Sequence, residues 1–260
     1  MADRTDFRSR EFSFGGVAKT VLVIGDSGPG VVVIHEIMGF TPTLARFCGW
    51  VRDAGFRVYA PILIGRPDTS NPAMPGIGTV LRLCVSREFT LFAGGRSSPI
   101  VDWLRPLARS VHGECGGRGV GVVGMCLTGG FALSMAVEPS VLVPVLSQPS
   151  MPVGGHDKLD ISAADLARVK ARVAAEGLQV RGYRFAGDTL ARQPKFDRLS
   201  AELGDGFVGT VIPDDCGNPA GFRARGKPPH SVLTGDLIDA AGEPTRAAVD
   251  EIIAALRERL

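Results

Sequence analysis

The stretch that decides the fold reads GVGVVGMCLTGG at residues 119–130. Its first half is apolar and valine-rich, as in a buried strand, and its last glycines stand where a helical pattern begins. Cys126 lies at the turn between the two. A sharp strand-to-helix turn with small neighbours is typical of a nucleophile elbow, which projects one reactive side chain. The stretch therefore predicts Cys126 as a nucleophile and the backbone amide of Leu127 as an oxyanion donor; the alternative is a cysteine that only fills space.

Strand-like runs alternate with helical patterns from about residue 30 onward. The β-branched run at 31–34 indicates a strand buried on both faces, and Thr41 followed by Pro42 is typical of a helix start. Runs at 11–14 and 17–24 flank two glycines, as in a tight hairpin. The sequence predicts one α/β domain over residues 1–260, with a mostly parallel central sheet, helices on both faces and an N-terminal β-hairpin.

Further elements complete this alternation. We expect strands at 57–63, 119–125, 141–146, 180–186 and 207–212, and helices at 79–112, 129–137, 163–175, 194–203 and 244–260. Residues 65–78 are rich in proline and glycine, which predicts a loop and a possible cleft wall.

Charge and cysteine usage restrict the class of protein. Lys and Arg total 29 against 27 Asp and Glu, a balance that favours neither nucleic acid nor a membrane surface as partner. The charged N-terminus lacks the apolar stretch of a signal peptide, and no apolar run approaches the ~20 residues that span a bilayer. Five widely spaced cysteines suit a reducing compartment. We expect a cytoplasmic protein with a small-molecule partner; the sequence leaves the oligomeric state open.

An acid and a histidine should follow the nucleophile in chain order, each in a loop after a later strand. Asp188 directly follows the strand predicted at 180–186, and His230 lies beyond the strand at 207–212. His230 would deprotonate Cys126 and later protonate the leaving group, while Asp188 would orient the imidazole. Asp214 and Asp215 are rival acids, although they end the strand that should lead to the histidine.

A second polar segment, His35-Glu36-Ile37-Met38-Gly39, ends the strand at 31–34. Enzymes with this kind of elbow place their second oxyanion donor there, which makes the Ile37 amide the candidate. Glu36 would lie partly buried above the sheet, where a carboxylate needs a specific hydrogen-bond partner. The alternative is a strand-end glutamate that reaches solvent.

Two other patterns are rejected. The glycines of the G-x-G-x-x-G match at 119–124 lie inside a strand, so they do not form a dinucleotide loop. His35-Glu36 begins like the zinc motif H-E-x-x-H, but Gly39 takes the place of the second histidine. We therefore expect no cofactor and no metal.

Together, the Glu36 segment, Cys126 in its elbow, Asp188 and His230 resemble the dienelactone hydrolase family of α/β-hydrolases, from about residue 15 to the end of the chain. The resemblance implies a Cys-Asp-His triad that opens lactones or cleaves esters. It also implies that Glu36 contacts the thiol and helps to activate it.

Two positions depart from the family pattern. The family elbow has glycine two residues after the cysteine, where this chain has Thr128, so the turn must differ or the hydroxyl must have a partner. The bacterial members have an arginine four residues after the histidine, which grips a substrate carboxylate, where this chain has Thr234. Substitutes for that arginine are Arg82, Arg87, Arg96, Arg223 and Arg225, and the sequence does not choose among them.

These observations predict a hydrolase of small carboxylic esters or lactones that works through a thioester on Cys126. The alternative is a catalytically silent α/β-hydrolase fold that binds a small ligand or a protein, because fold alone does not establish activity.

Overall fold

The computed structural model describes residues 2–65, 98–150 and 155–260. Its strands are β1 (Arg8–Phe14), β2 (Val17–Ile24), β3 (Gly30–Ile34), β4 (Arg57–Pro61), β5 (Val120–Met125), β6 (Val141–Ser147), β7 (Val180–Phe185) and β8 (Phe207–Ile212). Its helices are α1 (Pro42–Asp53), α2 (Pro99–Cys115), α3 (Gly129–Met135), α4 (Ala163–Glu176), α5 (Gln193–Leu203) and α6 (Pro244–Arg259).

The eight strands form one sheet in the order β1-β2-β4-β3-β5-β6-β7-β8. β1 and β2 are an antiparallel hairpin that joins β4, and β4, β3, β5, β6, β7 and β8 run parallel. The hairpin turns at Gly15 and Gly16, which have φ angles of 58° and 79°. These observations confirm the predicted α/β-hydrolase fold, with its mostly parallel sheet and N-terminal hairpin.

The sheet separates two hydrophobic cores. Along β3, Val32 and Ile34 pack into one core, while Val31 and Val33 pack into the other. Helices α2, α3, α4 and α5 cover the first face, and α1 and α6 cover the second. Both faces of β3 are therefore buried, which explains its unbroken β-branched sequence.

The predicted helix at 79–112 is described from Pro99, where α2 begins, and it extends to Cys115. Its first part, and nearly all of the loop predicted at 65–78, lie outside the described residues. The strand expected at 57–63 ends earlier, at Pro61. Beyond it, the N–H of Ile62 still donates to the carbonyl of Thr20 in β2 at 2.9 Å, whereas Nε2 of His35 accepts hydrogen bonds from the N–H groups of Leu63, at 2.9 Å, and Ile64, at 3.3 Å.

His35 is a buried neutral residue that joins the ends of β3 and β4. Because Nε2 accepts, Nδ1 carries the proton and donates to the carbonyl of Glu36 at 2.7 Å. Burial lowers the pKa of His35 to about 4, although its hydrogen bond to Glu36 acts in the opposite direction. A histidine at this position therefore shapes the chain rather than changing charge at neutral pH.

The turn after β5 requires glycine at position 124. A Cβ on Gly124 would lie 2.3 Å from the carbonyl oxygen of Thr128, closer than any real contact. On the other side of the turn, a Cβ on Gly129 would lie 2.7 Å from Cα of Pro149. The helix can therefore begin directly beneath the turn only because both side chains are absent.

Replacing Gly124 with alanine should lower the free energy of unfolding by about 1–3 kcal/mol, because the added methyl group meets backbone that cannot move aside. Gly113→Ala is the matched control, since a Cβ there meets nothing within 4 Å inside a helix. Urea unfolding of both variants measures the difference. Equal stability of Gly124→Ala and wild type would contradict the close packing described here.

Acidification from pH 6.5 to pH 4 should destabilise the protein through His35. Between these pH values His35 binds a proton in the unfolded chain but stays largely neutral in the folded protein. The free energy of unfolding therefore rises with pH over this interval, by roughly 3 kcal/mol in all. His35→Gln keeps an acceptor near the same place and cannot be protonated. The variant should lose less stability than wild type between these pH values, as measured by chemical unfolding; parallel losses would show that His35 does not contribute.

Candidate active site

The turn at the end of β5 holds Cys126 in a strained conformation. Its φ angle is +55°, in the left-handed region that residues other than glycine rarely adopt. Cys126 opens a short 3-10 turn that continues into α3, and its side chain is buried, with 8% of the residue exposed. Backbone strain of this kind is characteristic of functional sites, and a nucleophile elbow requires it.

The hydroxyl of Thr128, the residue that replaces the family's glycine, has backbone hydrogen-bond partners. It accepts a hydrogen bond from the N–H of Met125 at 3.0 Å. It also lies 3.1 Å from the carbonyl oxygens of Ile34 and His35, to which it can donate. Thr128 therefore fastens the elbow to the end of β3, so a β-branched residue is accommodated in this turn.

His230 and Asp188 are in direct contact. Nδ1 of His230 lies 2.7 Å from Oδ2 of Asp188, and both residues are buried, at 3% and 4% exposed. The other oxygen of Asp188 accepts from the N–H groups of Leu190, at 2.8 Å, and Ala191, at 3.1 Å. Nε2 of His230 has no hydrogen-bond partner among the described residues. The acid is thus held by its own loop and orients the ring, while Nε2 remains available.

Neither rival acid is bonded to the histidine. Asp214 accepts from the N–H of Gly187 at 2.8 Å, and Asp215 lies beside the thiol of Cys216. Asp214 therefore binds the loop that carries Asp188, and Asp188 in turn contacts the imidazole.

Sequence reasoning did not identify Asp236, which is fully buried beneath the histidine loop. Its carboxylate accepts from the backbone N–H groups of His230, Ser231 and Phe222, at 2.8, 2.9 and 2.7 Å. The Phe222 ring then packs edge-on against the imidazole, with 5.7 Å between ring centroids. No motif marks this aspartate, because its partners are backbone atoms brought together by the loop.

The environment of His230 favours its charged form. Burial disfavours the imidazolium, but electrostatic interaction with the Cys126 sulfur and the hydrogen bond that His230 donates to Asp188 outweigh it, so the pKa of His230 is raised well above 6.5. The imidazole and the Cys126 sulfur are therefore electrostatically coupled, which is the relation between a base and its nucleophile.

Glu36 has three hydrogen-bond donors. Nε2 of Gln148 and the hydroxyl of Thr234 donate to one carboxylate oxygen, each at 2.8 Å, and the hydroxyl of Ser231 donates to the other at 3.1 Å. Burial raises the pKa of Glu36 above its usual value, although His230 and the hydroxyl groups oppose this. The carboxylate is held by neutral donors, one of which, Thr234, stands where the resembled enzymes have arginine.

The expected contact between Glu36 and the thiol is not a hydrogen bond in this structure. The sulfur of Cys126 instead lies 3.2 Å from the hydroxyl of Ser150. The carboxylate of Glu36 accepts from Gln148, Thr234 and Ser231 instead.

Gln148 is a second residue that sequence reasoning missed. It is fully buried, its φ angle is +34°, and its backbone N–H donates to the carbonyl of Tyr183 at 2.7 Å. Its side-chain oxygen accepts from the N–H of Val232 at 3.3 Å and from the hydroxyl of Ser147, while its amide nitrogen binds Glu36. A polar residue directly after an apolar strand was the sole sequence signal.

The two candidate oxyanion donors lie in turns at the ends of β3 and β5. Leu127 is the second residue of the 3-10 turn that begins at Cys126. Ile37 lies inside the turn that the N–H of Gly39 closes on the carbonyl of Glu36 at 2.9 Å, so this turn does not use the Ile37 amide. β3 and β5 are parallel neighbours, and their carboxyl ends bring the two turns to one edge of the sheet.

Of the arginines considered as substrate ligands, Arg223 donates to the backbone carbonyls of Asp215, at 3.1 Å, and Gly217, at 3.2 Å. Arg225 lies in the same exposed turn. The remaining three candidates, Arg82, Arg87 and Arg96, lie outside the described residues.

Residues 2–65, 98–150 and 155–260 contain neither a candidate metal site nor a candidate membrane-spanning helix. No three His, Cys, Asp or Glu side chains in these ranges are grouped so that they could hold a metal ion. Within the same ranges, every helix is too short or too polar to cross a bilayer.

Glu36→Gln should stabilise the folded protein more at pH 8 than at pH 4. Because the pKa of Glu36 is higher in the folded than in the unfolded protein, the free energy of unfolding falls as pH rises through the folded pKa. Glutamine cannot ionise, so the variant does not have this loss. Chemical unfolding at both pH values measures the difference, and the exposed Glu258→Gln is the control. A gain that is the same at pH 4 and pH 8 would show that burial does not penalise the Glu36 charge.

A curated protein resembles part of this chain. Over 145 residues the chain is 32% identical to carboxymethylenebutenolidase 1 of Cupriavidus pinatubonensis, a match that covers 48% of this chain and 59% of that protein. The chain thus matches less than two thirds of that relative's length.

Solved structures show the same fold. A dienelactone hydrolase from Anabaena variabilis has a TM-score of 0.60 and 15% identity, with 98% of each chain covered. A cold-adapted esterase from an Arctic intertidal metagenomic library has a TM-score of 0.61 and 16% identity, covering 96% of this chain and 94% of that chain.

A family model decides the assignment. The model of the dienelactone hydrolase family matches residues 18–147, which are half of the chain. The matched region includes the turn after β3 and the elbow after β5, where Glu36 and Cys126 lie. This chain therefore belongs to the dienelactone hydrolase family.

Proposed function

We propose that this protein hydrolyses small carboxylic esters or lactones with Cys126 as nucleophile, His230 as base and Asp188 as the acid that orients it. The observation that carries the proposal is the buried pair of His230 and Asp188, bonded at 2.7 Å, with Nε2 unpartnered among the described residues and Cys126 held in a strained turn. Family membership and the name of the curated relative, a carboxymethylenebutenolidase, support ester or lactone chemistry.

Acylation begins with the Cys126 sulfur paired with protonated His230. The sulfur attacks the carbonyl carbon, a C–S bond forms, and the carbonyl electron pair moves to oxygen. The amides of Ile37 and Leu127 receive this oxyanion. When the C–O bond breaks, His230 gives its proton to the leaving alkoxide, and a thioester remains on Cys126.

Deacylation reverses these roles. His230, now neutral, takes a proton from water as the water oxygen attacks the thioester carbonyl. The C–S bond then breaks, its electron pair returns to sulfur, and the carboxylic acid leaves. Asp188 keeps the ring in the tautomer that places the free nitrogen toward the reaction in both steps.

We assign Glu36 to the binding side of the same site. Substrate that displaces the carboxylate from its neutral donors would bring it toward the thiol, the contact that the family resemblance implies.

The four described cysteines, Cys48, Cys115, Cys126 and Cys216, are all free, which supports a reducing compartment such as the cytoplasm.

Cys126→Ala should lower hydrolysis of p-nitrophenyl acetate and of simple lactones by at least about a thousandfold, because no other group can form the thioester. Cys216→Ala is the matched control: it removes a half-buried thiol whose hydrogen-bond neighbour is Asp215, and it should leave turnover unchanged. Circular dichroism checks that both variants are folded. Full turnover in Cys126→Ala would remove the cysteine from the mechanism.

Asp188→Asn should lower turnover by roughly a hundredfold or more, since the asparagine no longer stabilises the imidazolium. Asp214→Asn and Asp215→Asn test the rival acids and should retain most activity. The acid assignment is wrong if either of these is severe while Asp188→Asn is neutral. Absence of hydrolysis by wild type on every ester and lactone tested, with ligand binding retained, would favour a silent binding protein.

A further inference from the structure

Ser150 contacts the reacting atom of the proposed site. Its hydroxyl oxygen lies 3.2 Å from the sulfur of Cys126, and the residue is buried, with 7% exposed. The sulfur is the sole hydrogen-bond partner that the described residues offer this hydroxyl. A buried hydroxyl with one partner makes its hydrogen bond there, since leaving it unmade is costly.

The backbone fixes this contact. The N–H of Ser150 donates to the carbonyl oxygen of Cys126 at 3.0 Å, so the same two residues are joined twice. The turn that brings Ser150 to the elbow starts at Gln148, whose left-handed φ of 34° redirects the chain after β6. Pro149 then packs against Gly129, at the start of α3. The hydroxyl is therefore preorganised against the sulfur rather than free to rotate into solvent.

Among the described residues, neither carboxylate of the site is hydrogen-bonded to this hydroxyl. Glu36 accepts from Gln148, Thr234 and Ser231. Asp188 is occupied by His230 and by its own loop. When the sulfur carries negative charge it can only accept, so the hydroxyl of Ser150 becomes the donor.

Resting on the proposed function, we propose that Ser150 is a further catalytic residue, whose hydroxyl donates a hydrogen bond to the negatively charged sulfur of Cys126. This bond is present before attack and is lost when the sulfur becomes part of the thioester. It forms again when the C–S bond breaks and the electron pair returns to sulfur. Ser150 thereby stabilises the leaving sulfur during thioester hydrolysis, as a hydrogen bond to a charged group does.

Ser150→Ala tests this proposal by two measurements. The first is the pH profile of iodoacetamide alkylation of Cys126, whose midpoint should move up by about one pH unit. The titratable groups that face the site from the described residues are His230 with Asp188 behind it, and Glu36; all three are kept in the variant. The second is the rate of acyl-enzyme hydrolysis with p-nitrophenyl acetate, which should fall about tenfold and produce a burst of p-nitrophenol.

Two further variants separate the hydroxyl from packing. Ser150→Thr keeps a hydroxyl and should lie closer to wild type than Ser150→Ala in both measurements. Ser140 precedes the first residue of β6, at the end of the strand opposite to Ser150, and its buried hydroxyl has no hydrogen-bond partner among the described residues. Ser140→Ala should therefore match wild type. Thermal unfolding verifies that all variants are folded.

The proposal is overturned if Ser150→Ala matches wild type in the alkylation profile and in deacylation, or if Ser150→Thr loses as much as Ser150→Ala. Failure of the proposed function is a different result, because Cys126→Ala would then retain turnover. A dead Cys126→Ala beside an unchanged Ser150→Ala rejects only the role of Ser150.

Discussion

The left-handed backbone at Cys126 is the constraint on which the rest of the site depends. A residue other than glycine in this region costs of order 1–3 kcal/mol, so its surroundings must enforce it. Thr128 does so by linking the strand before the turn to the carbonyls at the end of β3. Gly124 allows the helix to start beneath the turn. The hydrogen bonds that hold the strained turn thus connect two neighbouring parallel strands, β3 and β5, at the edge of the sheet where the chemistry is proposed.

Parallel strands explain why distant residues meet. The carboxyl ends of β3, β5, β6, β7 and β8 lie at one edge of the sheet, and each is followed by a polar segment. Glu36, Cys126, Gln148, Asp188 and His230 follow these strands in turn. The two hydrophobic cores hold the sheet from either side, and they provide the rigidity against which a short loop can be strained.

The carboxylate of Glu36 distinguishes this site electrostatically. Neutral donors hold it, and burial raises its pKa, so ionisation of this group costs stability. The two left-handed residues, Cys126 and Gln148, also cost stability. Ser150 follows directly from the second of them. Strain and a buried charge at one edge of an otherwise well-packed sheet are the usual mark of a site kept for function rather than for folding.

The sequence by itself determined the alternation of elements, the hairpin and the elbow, because periodicity and turn chemistry are local properties. It also predicted Cys126, Asp188 and His230 as site residues, since chain order after successive strands restricts where such residues stand. It did not give the end of β4: the strand predicted to reach residue 63 ends at Pro61, and the amides of Leu63 and Ile64 donate to the imidazole of His35, which is distant in sequence.

Only the tertiary structure decided which polar groups touch. Asp236 and Gln148 bind backbone and side-chain atoms from loops far away in the chain, so no spacing indicates them. The hydrogen-bond partners of Glu36 come from two other loops, one after β6 and one after β8. Ser150 reaches the sulfur only because β6 lies beside β5 and its chain then reverses over the elbow. Local pattern specifies elements, whereas hydrogen bonds between loops depend on where those elements pack.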